Sequence, residues 1–140
     1  MINKTVKRLA VVGSLFLILG ITIISVNNYV AREREDRSTV KIEKKASILF
    51  FYRDDCPDCK HVFFLVDLFE KLGTQVQYIN TNNKQNHEKA INNYHISAVP
   101  TFILINQNGN EIKRYTGSNF DNIRNFFTKK VNRISKAASK

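Results

Sequence analysis

Three of the chain's four cysteines and prolines lie together as Cys56-Pro57-Asp58-Cys59, with the second proline at Pro100. Two thiols at this spacing can exchange a dithiol for a disulfide when a helix begins between them. A sulfur at a helix N-terminus meets free N–H groups and partial positive charge, which favour thiolate over thiol. A second sulfur one turn on can attack a mixed disulfide formed on the first and release the substrate. Cys56 is then the nucleophile and Cys59 the resolving thiol of a redox-active disulfide pair, and the exchange requires no cofactor.

Three other uses of the pair are weaker. A structural disulfide closing so short a loop removes little unfolded-state entropy. A zinc site needs two more ligands, and His87 and His95 are separated by seven residues where three to five is usual. Inert cysteines leave Pro57 and its junction unexplained. No metal ligand is assigned. Asp54, Asp55 and Asp58 ring Cys56, and negative charge disfavours a thiolate. Because a stabilised thiolate makes a strong oxidant, the acidic ring favours reductase or isomerase chemistry over oxidase. The competing reading has Asp58 favourable to the helix dipole and the other two solvated. His61, about 200° around the helix from Cys59, faces solvent.

The elements that must position these residues follow from patterning. Ser47-Ile48-Leu49-Phe50-Phe51-Tyr52 is an apolar run of strand length, suited to a strand covered on both faces. Pro57 fits the first helical position. A helix follows to about Leu72, stopped by Gly73, with Val62, Phe63, Val66, Phe69 and Leu72 on the face shared by Cys59. A strand over 75–80, a short helix near 88–94, a strand over 101–105, a turn at 106–110 and a strand over 111–115 come next. Phe120, Ile123, Phe127, Val131 and Ile134 mark one face of a last helix. The order β-α-β-α-β-β-α predicts an α/β domain with a mixed sheet.

Ahead of it, Leu9–Ala31 is 23 residues without a charge, long enough as a helix to cross a hydrocarbon core of about 30 Å. Residues 1–31 are expected to be a single-pass anchor, 32–45 a polar juxtamembrane linker with a short edge strand near Val40–Ile42, and 46–140 the domain. A cleaved signal peptide is the alternative; the apolar run is long for one and carries no A-x-A pattern. Lys4, Lys7 and Arg8 before the span are matched by Arg32, Arg34 and Arg37 after it, so the charge rule does not orient it. The basic start followed by an apolar run, together with thiol chemistry, favours a domain outside the cytoplasm.

The pair and its surroundings resemble the thioredoxin superfamily over Ala46 to about Ile134. Cys56-Pro57-Asp58-Cys59-Lys60 looks like its active-site motif and Tyr94-His95-Ile96-Ser97-Ala98-Val99-Pro100-Thr101 like the segment carrying its cis-proline. Gly109 and Gly117 match glycines of its last hairpin and of the approach to its last helix. The resemblance implies a thioredoxin-like fold and a cis Val99–Pro100 bond packed against the cysteines. It further implies that the Val99 backbone pairs with an extended substrate, as in β-augmentation, with Pro57 and Asp58 also bordering that substrate. Departures are equally clear: the buried carboxylate of many thioredoxins falls at Phe50, the aromatic before the first cysteine at Asp55, and the mid-helix proline at Phe64. Cys59 therefore lacks the usual internal base and is expected to rely on solvent or Asp58.

Composition narrows the partners. Of the net charge of +10, +5 (9 minus 4) lies in residues 1–45 and +5 (13 minus 8) in the domain, with no recognition motif, which argues against nucleic acid. Six Lys/Arg and no acid from Arg124 to Lys140 read as a solvated basic helix face. The expected function is a membrane-tethered thiol-disulfide oxidoreductase acting on protein thiols and disulfides of exported proteins, with a membrane redox partner. The alternative is a non-catalytic thioredoxin-like accessory factor of a secretion, bacteriocin-export or conjugation complex.

Overall fold

Helix α1, Lys4–Glu35, carries an 18-residue window of mean hydropathy 2.6 within Val6–Glu35. Its length and composition suffice to cross a membrane. The Ser14 and Thr22 hydroxyls donate back to the Val11 and Leu19 carbonyls at 2.8 Å, so these two hydroxyls are satisfied by their own helix. The structure, a computed structural model, describes residues 3–137, and side chains for all of these except residue 5 and residues 129–137. It divides into two compact units, one ending at Glu33 and one beginning at Arg34.

The second unit is built on β1, Ser47–Tyr52, every residue of which is buried. β2, Val76–Asn80, pairs parallel to it, and β3, Thr101–Ile105, pairs antiparallel on its other side. β4, Glu111–Thr116, is antiparallel to β3 and closes the order β2-β1-β3-β4. β4 is an exposed edge, and Glu111, Lys113 and Arg114 give it the charge that discourages further strand pairing.

Both faces of the central strands are covered, so the continuous apolar runs are explained. On one face Phe50, Tyr52 and Phe102 stack among Phe63 of α2, Pro57–Lys71, and Phe126 and Phe127 of α4, Phe120–Ala137. The other face packs Leu49, Phe51, Ile79, Ile103 and Ile105 with Ala90 of α3, Lys84–Tyr94. Of the residues expected on the α4 core face, Ile123 and Phe127 are buried; Phe120 is exposed, and the side chains of Val131 and Ile134 lie outside the described residues. Leu72, expected on the buried face of α2, is its C-cap and 73% exposed, because Gly73 at φ +96° turns the chain away at that point.

Two local differences from expectation share a cause. α3 begins at Lys84, four residues before the expected Glu88, because the Asn83 side chain caps it by accepting the Asn86 N–H at 3.0 Å. The edge strand expected at Val40–Ile42 does not form; the backbone of this segment is held by side-chain amides instead. Asn86 accepts the Val40 N–H through Oδ1 at 2.9 Å and donates through Nδ2 to the Ser38 carbonyl at 2.9 Å. The Gln77 amide accepts the Glu43 N–H at 2.7 Å and donates to the Glu43 carbonyl at 3.0 Å, standing in for a strand neighbour. Asn80 donates to the Asp36 carbonyl, Asn83 to that of Arg37 and Lys89 to that of Val40. Val40 and Ile42 meanwhile pack on the α3-side core. Residues 34–43 thus form a strap along the β2–α3 side of the domain.

Candidate active site

Cys56 is the N-cap of α2, with extended backbone at φ −82° and ψ 121°, and Pro57 follows at the first helical position. Its sulfur accepts the Cys59 N–H at 3.3 Å, so one of the orphan donors of the helix start is aimed at the sulfur where a thiolate would form. The two cysteines approach to 3.0 Å. Cys56 is partly exposed, whereas Cys59 is fully buried and faces the sheet, as its helical spacing from Val62 and Phe63 implied. Burial, followed by the hydrogen bond to Cys56, pushes the Cys59 thiol well up; a backbone hydrogen bond from Arg53 works the other way.

The Val99–Pro100 bond is cis, and the Cys56 thiol points at the Val99 carbonyl at 3.9 Å. This loop is pinned from behind: the Thr101 hydroxyl donates to the Ala98 carbonyl at 2.7 Å, and the Gly117 N–H donates to the Pro100 carbonyl at 3.0 Å. Gly117 has φ +133°, and a Cβ there would approach the Tyr115 hydroxyl to 3.1 Å, so a side chain at this position would strain the support. Cys56, Cys59, Val99 and Pro100 are thus brought together, while Pro57 and Asp58 lie exposed on the first turn of α2 beside them. A groove of about 140 Å³ runs off the loop, lined by Val99, Ala98, Ile96, Ile91, His87 and Arg53. Its wall mixes apolar side chains with polar ones, and it includes Val99, whose carbonyl faces the Cys56 sulfur.

The acidic ring is not what the spacing suggested. Asp54 is buried rather than solvated, and its carboxylate takes a two-point ion pair from Arg37, Nε at 2.6 Å and Nη2 at 3.1 Å. Asp55 takes the same fork from Arg53, at 2.9 and 2.7 Å. The Asn82 amide bridges them, donating to Asp54 and, at 3.2 Å, to Asp55. These donors hold both carboxyls below the usual carboxylate range, Arg37 being the largest cause for Asp54 and Arg53 for Asp55. Two guanidiniums therefore offset two of the three carboxylates, leaving Asp58 exposed at the helix start. Arg37 and Asn82 were not singled out by sequence. Arg37 is one of several charges in a polar run, and only the Asn-rich stretch Asn80-Thr81-Asn82-Asn83 after a strand hints at a polar clasp.

The three histidines take other positions. His61 is exposed and stacks on Phe120 with centroids 4.5 Å apart. His87 lines the groove while His95 is the left-handed C-cap of α3, at φ 51°. Among the described residues no three His, Cys, Asp or Glu side chains gather as a metal set.

The fold is that of the thioredoxins. Similar solved structures include a thioredoxin of Fasciola hepatica, with 22% identity and TM-score 0.54 over 62% of this chain and 82% of that one. A reduced thioredoxin pre-protein of Schistosoma mansoni has 26% identity and TM-score 0.51 over 61% and 80%. Thioredoxin f2 of Chlamydomonas reinhardtii has 22% identity and TM-score 0.53 over 66% and 95%. No curated protein matches the chain significantly. The sequence model described as TraF, F plasmid transfer operon protein, matches residues 22–114, reaching from within α1 to β4. Since that match spans well over half of the 140 residues, the chain belongs to the TraF family.

Proposed function

We propose that the chain is a membrane-tethered thiol-disulfide oxidoreductase whose domain lies outside the cytoplasm and acts on exported proteins. The observation that carries this reading is the Cys56 sulfur, partly exposed at the helix N-cap, accepting the Cys59 N–H and facing the Val99 carbonyl across the cis-proline loop. In the reducing direction the Cys56 thiolate attacks one sulfur of a substrate disulfide, forming a mixed disulfide and releasing the other substrate sulfur as thiolate. Cys59, after losing its proton, attacks the Cys56 sulfur. The Cys56–Cys59 disulfide forms, the second substrate thiol leaves, and two electrons have passed from the pair to the substrate. Oxidation is the same sequence reversed. Val99 pairs with the substrate backbone, Pro100 fixes that geometry, and Pro57 and Asp58 border the substrate. A membrane-associated thiol-disulfide protein returns the pair to its working state.

Helix α1 supports the tether, since it is long and apolar enough to cross a membrane. With Asp54 and Asp55 offset by arginines, Asp58 carries the lean toward reductase or isomerase that the acidic ring first suggested. Cys59→Ser is expected to accumulate mixed disulfides with exported proteins, and Cys56→Ser to abolish both exchange and trapping. Labelling of intact cells by a membrane-impermeant maleimide is expected without prior reduction if the pair works as a reductase, and only after reduction if it works as an oxidase. Labelling only after lysis would overturn the placement.

The family match favours one second reading, an accessory factor of a conjugation complex, because the matched family is described as a transfer operon protein. On that reading Cys56→Ser leaves the phenotype unchanged.

A further inference from the structure

The Asp54 carboxylate, 7% exposed, sits two residues before Cys56 in the turn from β1 to α2. A buried carboxylate is tolerated only when paired and hydrogen-bonded. Its partners come from two other places in the fold. Arg37 reaches it from the strap with a two-point fork, the geometry in which a guanidinium holds a carboxylate most firmly. Asn82, from the turn after β2, bonds Asp54 and Asp55 together. Arg37 is itself fixed from below, because Asn83 donates to its carbonyl at 2.9 Å.

We propose that Arg37 and Asn82 are positioning residues of the Cys56–Cys59 pair, and that the strap of residues 34–43 is part of the redox site rather than a passive tether. Arg37 offsets the nearest buried negative charge, and Asn82 keeps the Asp54–Asp55 turn in the conformation that presents Cys56 at the helix start. The charged groups around that start are Arg37, Arg53, Asp54, Asp55, Asp58 and Lys60. Loss of Arg37 removes the cationic partner of Asp54, so that a second carboxylate joins Asp58 in standing without one beside Cys56. Added negative charge disfavours the thiolate and the reduced state that contains it. The pair becomes a stronger reductant and a slower nucleophile.

The test uses the full chain in detergent micelles and reads the Cys56 alkylation rate with iodoacetamide between pH 6 and 9, together with the potential of the pair in glutathione buffers. At pH 7, Arg37→Gln is expected to slow alkylation roughly threefold, the size of a single charge effect in a solvent-screened site, and to make the potential more negative. Asp54→Asn is expected to speed alkylation, and Arg37→Gln/Asp54→Asn to return it near the unaltered rate. Arg37→Lys, which keeps the charge without the fork, retains most of the rate and controls for loss of folding. An unchanged rate in Arg37→Gln, or a double variant as slow as the single one, overturns the proposal. The inference rests on the proposed function for its purpose but not for its readout. A protein that exchanges no disulfides yet shows this charge response would overturn the function and leave the positioning role standing.

Discussion

Phe50 and Phe102 face each other across β1 and β3 with ring centroids 4.9 Å apart and planes 1° from parallel. Tyr52, Phe63 and Tyr78 complete the cluster around Phe50. This is the place where the likeness to thioredoxins puts a buried carboxylate. The domain has filled it with aromatic packing, so Cys59 is left with burial and without an internal base from this strand.

The stack should therefore behave as core and not as catalytic machinery. Phe50→Ala removes a fully buried ring from the centre of four aromatic contacts, and a loss of about 3–5 kcal/mol of unfolding free energy is expected. Urea unfolding of the reduced protein measures it. A loss under about 1 kcal/mol would show that the cluster closes over the gap and is not the keystone of this face.

Cys59 makes a pH prediction. Its thiol is raised in the folded state, above an ordinary unfolded value of about 8.5. Below that pH both states hold the proton and the full stability is present. Above it the unfolded chain ionises while the folded one does not, and stability falls as pH rises, by up to about 1.4 kcal/mol per pH unit. Unfolding under reducing conditions from pH 7.5 to 9.5 should show this slope in the unaltered protein and a flatter one in Cys59→Ala. The window stops there because Tyr94, also raised by burial, adds its own loss at higher pH. Equal slopes would remove Cys59 as the cause.

What could be read from sequence, and what could not, follows one physical line. β1, β3 and the inward turn of Cys59 were legible because apolar runs and helical spacing report burial directly. The strap was not. Apart from Val40 and Ile42, residues 34–43 offer polar side chains, and what chiefly holds them is their backbone, bonded by Asn80, Asn83, Asn86 and Gln77 more than thirty positions away. The burial of Asp54 escaped for the same reason, since its partner Arg37 looks like any charge in a polar run. Periodicity reveals a face; it does not reveal which distant amide satisfies a given carbonyl.

The apolar helix carries its own test. Leu17→Arg with Ile21→Arg places two charges near the middle of α1, each costing about 3 kcal/mol for insertion. The unaltered chain is expected at full length in the membrane pellet after alkaline carbonate extraction, and the double variant in the supernatant. A shortened product in the soluble fraction of the unaltered protein would mean that the helix is a cleaved leader.

Asn86 decides whether the strap is held as tightly as its bonding suggests. The residue is fully buried, and its amide serves the Val40 N–H, the Ser38 carbonyl and the Asn80 carbonyl at 2.9, 2.9 and 3.1 Å. Asn86→Ala abandons all three. The Ser38 carbonyl, at an exposed residue, recovers water, but the Val40 N–H and the Asn80 carbonyl are left in partly or fully buried surroundings. An orphaned buried group costs about 1–3 kcal/mol, so a loss of roughly 2–4 kcal/mol is expected. The more telling readout is local. Amide exchange over residues 36–43 should speed up while β1 and β3 keep their protection, because the strap can open without the sheet. Alkylation of Cys56 should slow in the same variant, since a released strap withdraws Arg37 from Asp54. Exchange over 36–43 that is as slow as before would mean that Gln77, Asn80, Asn83 and Lys89 hold the segment without Asn86.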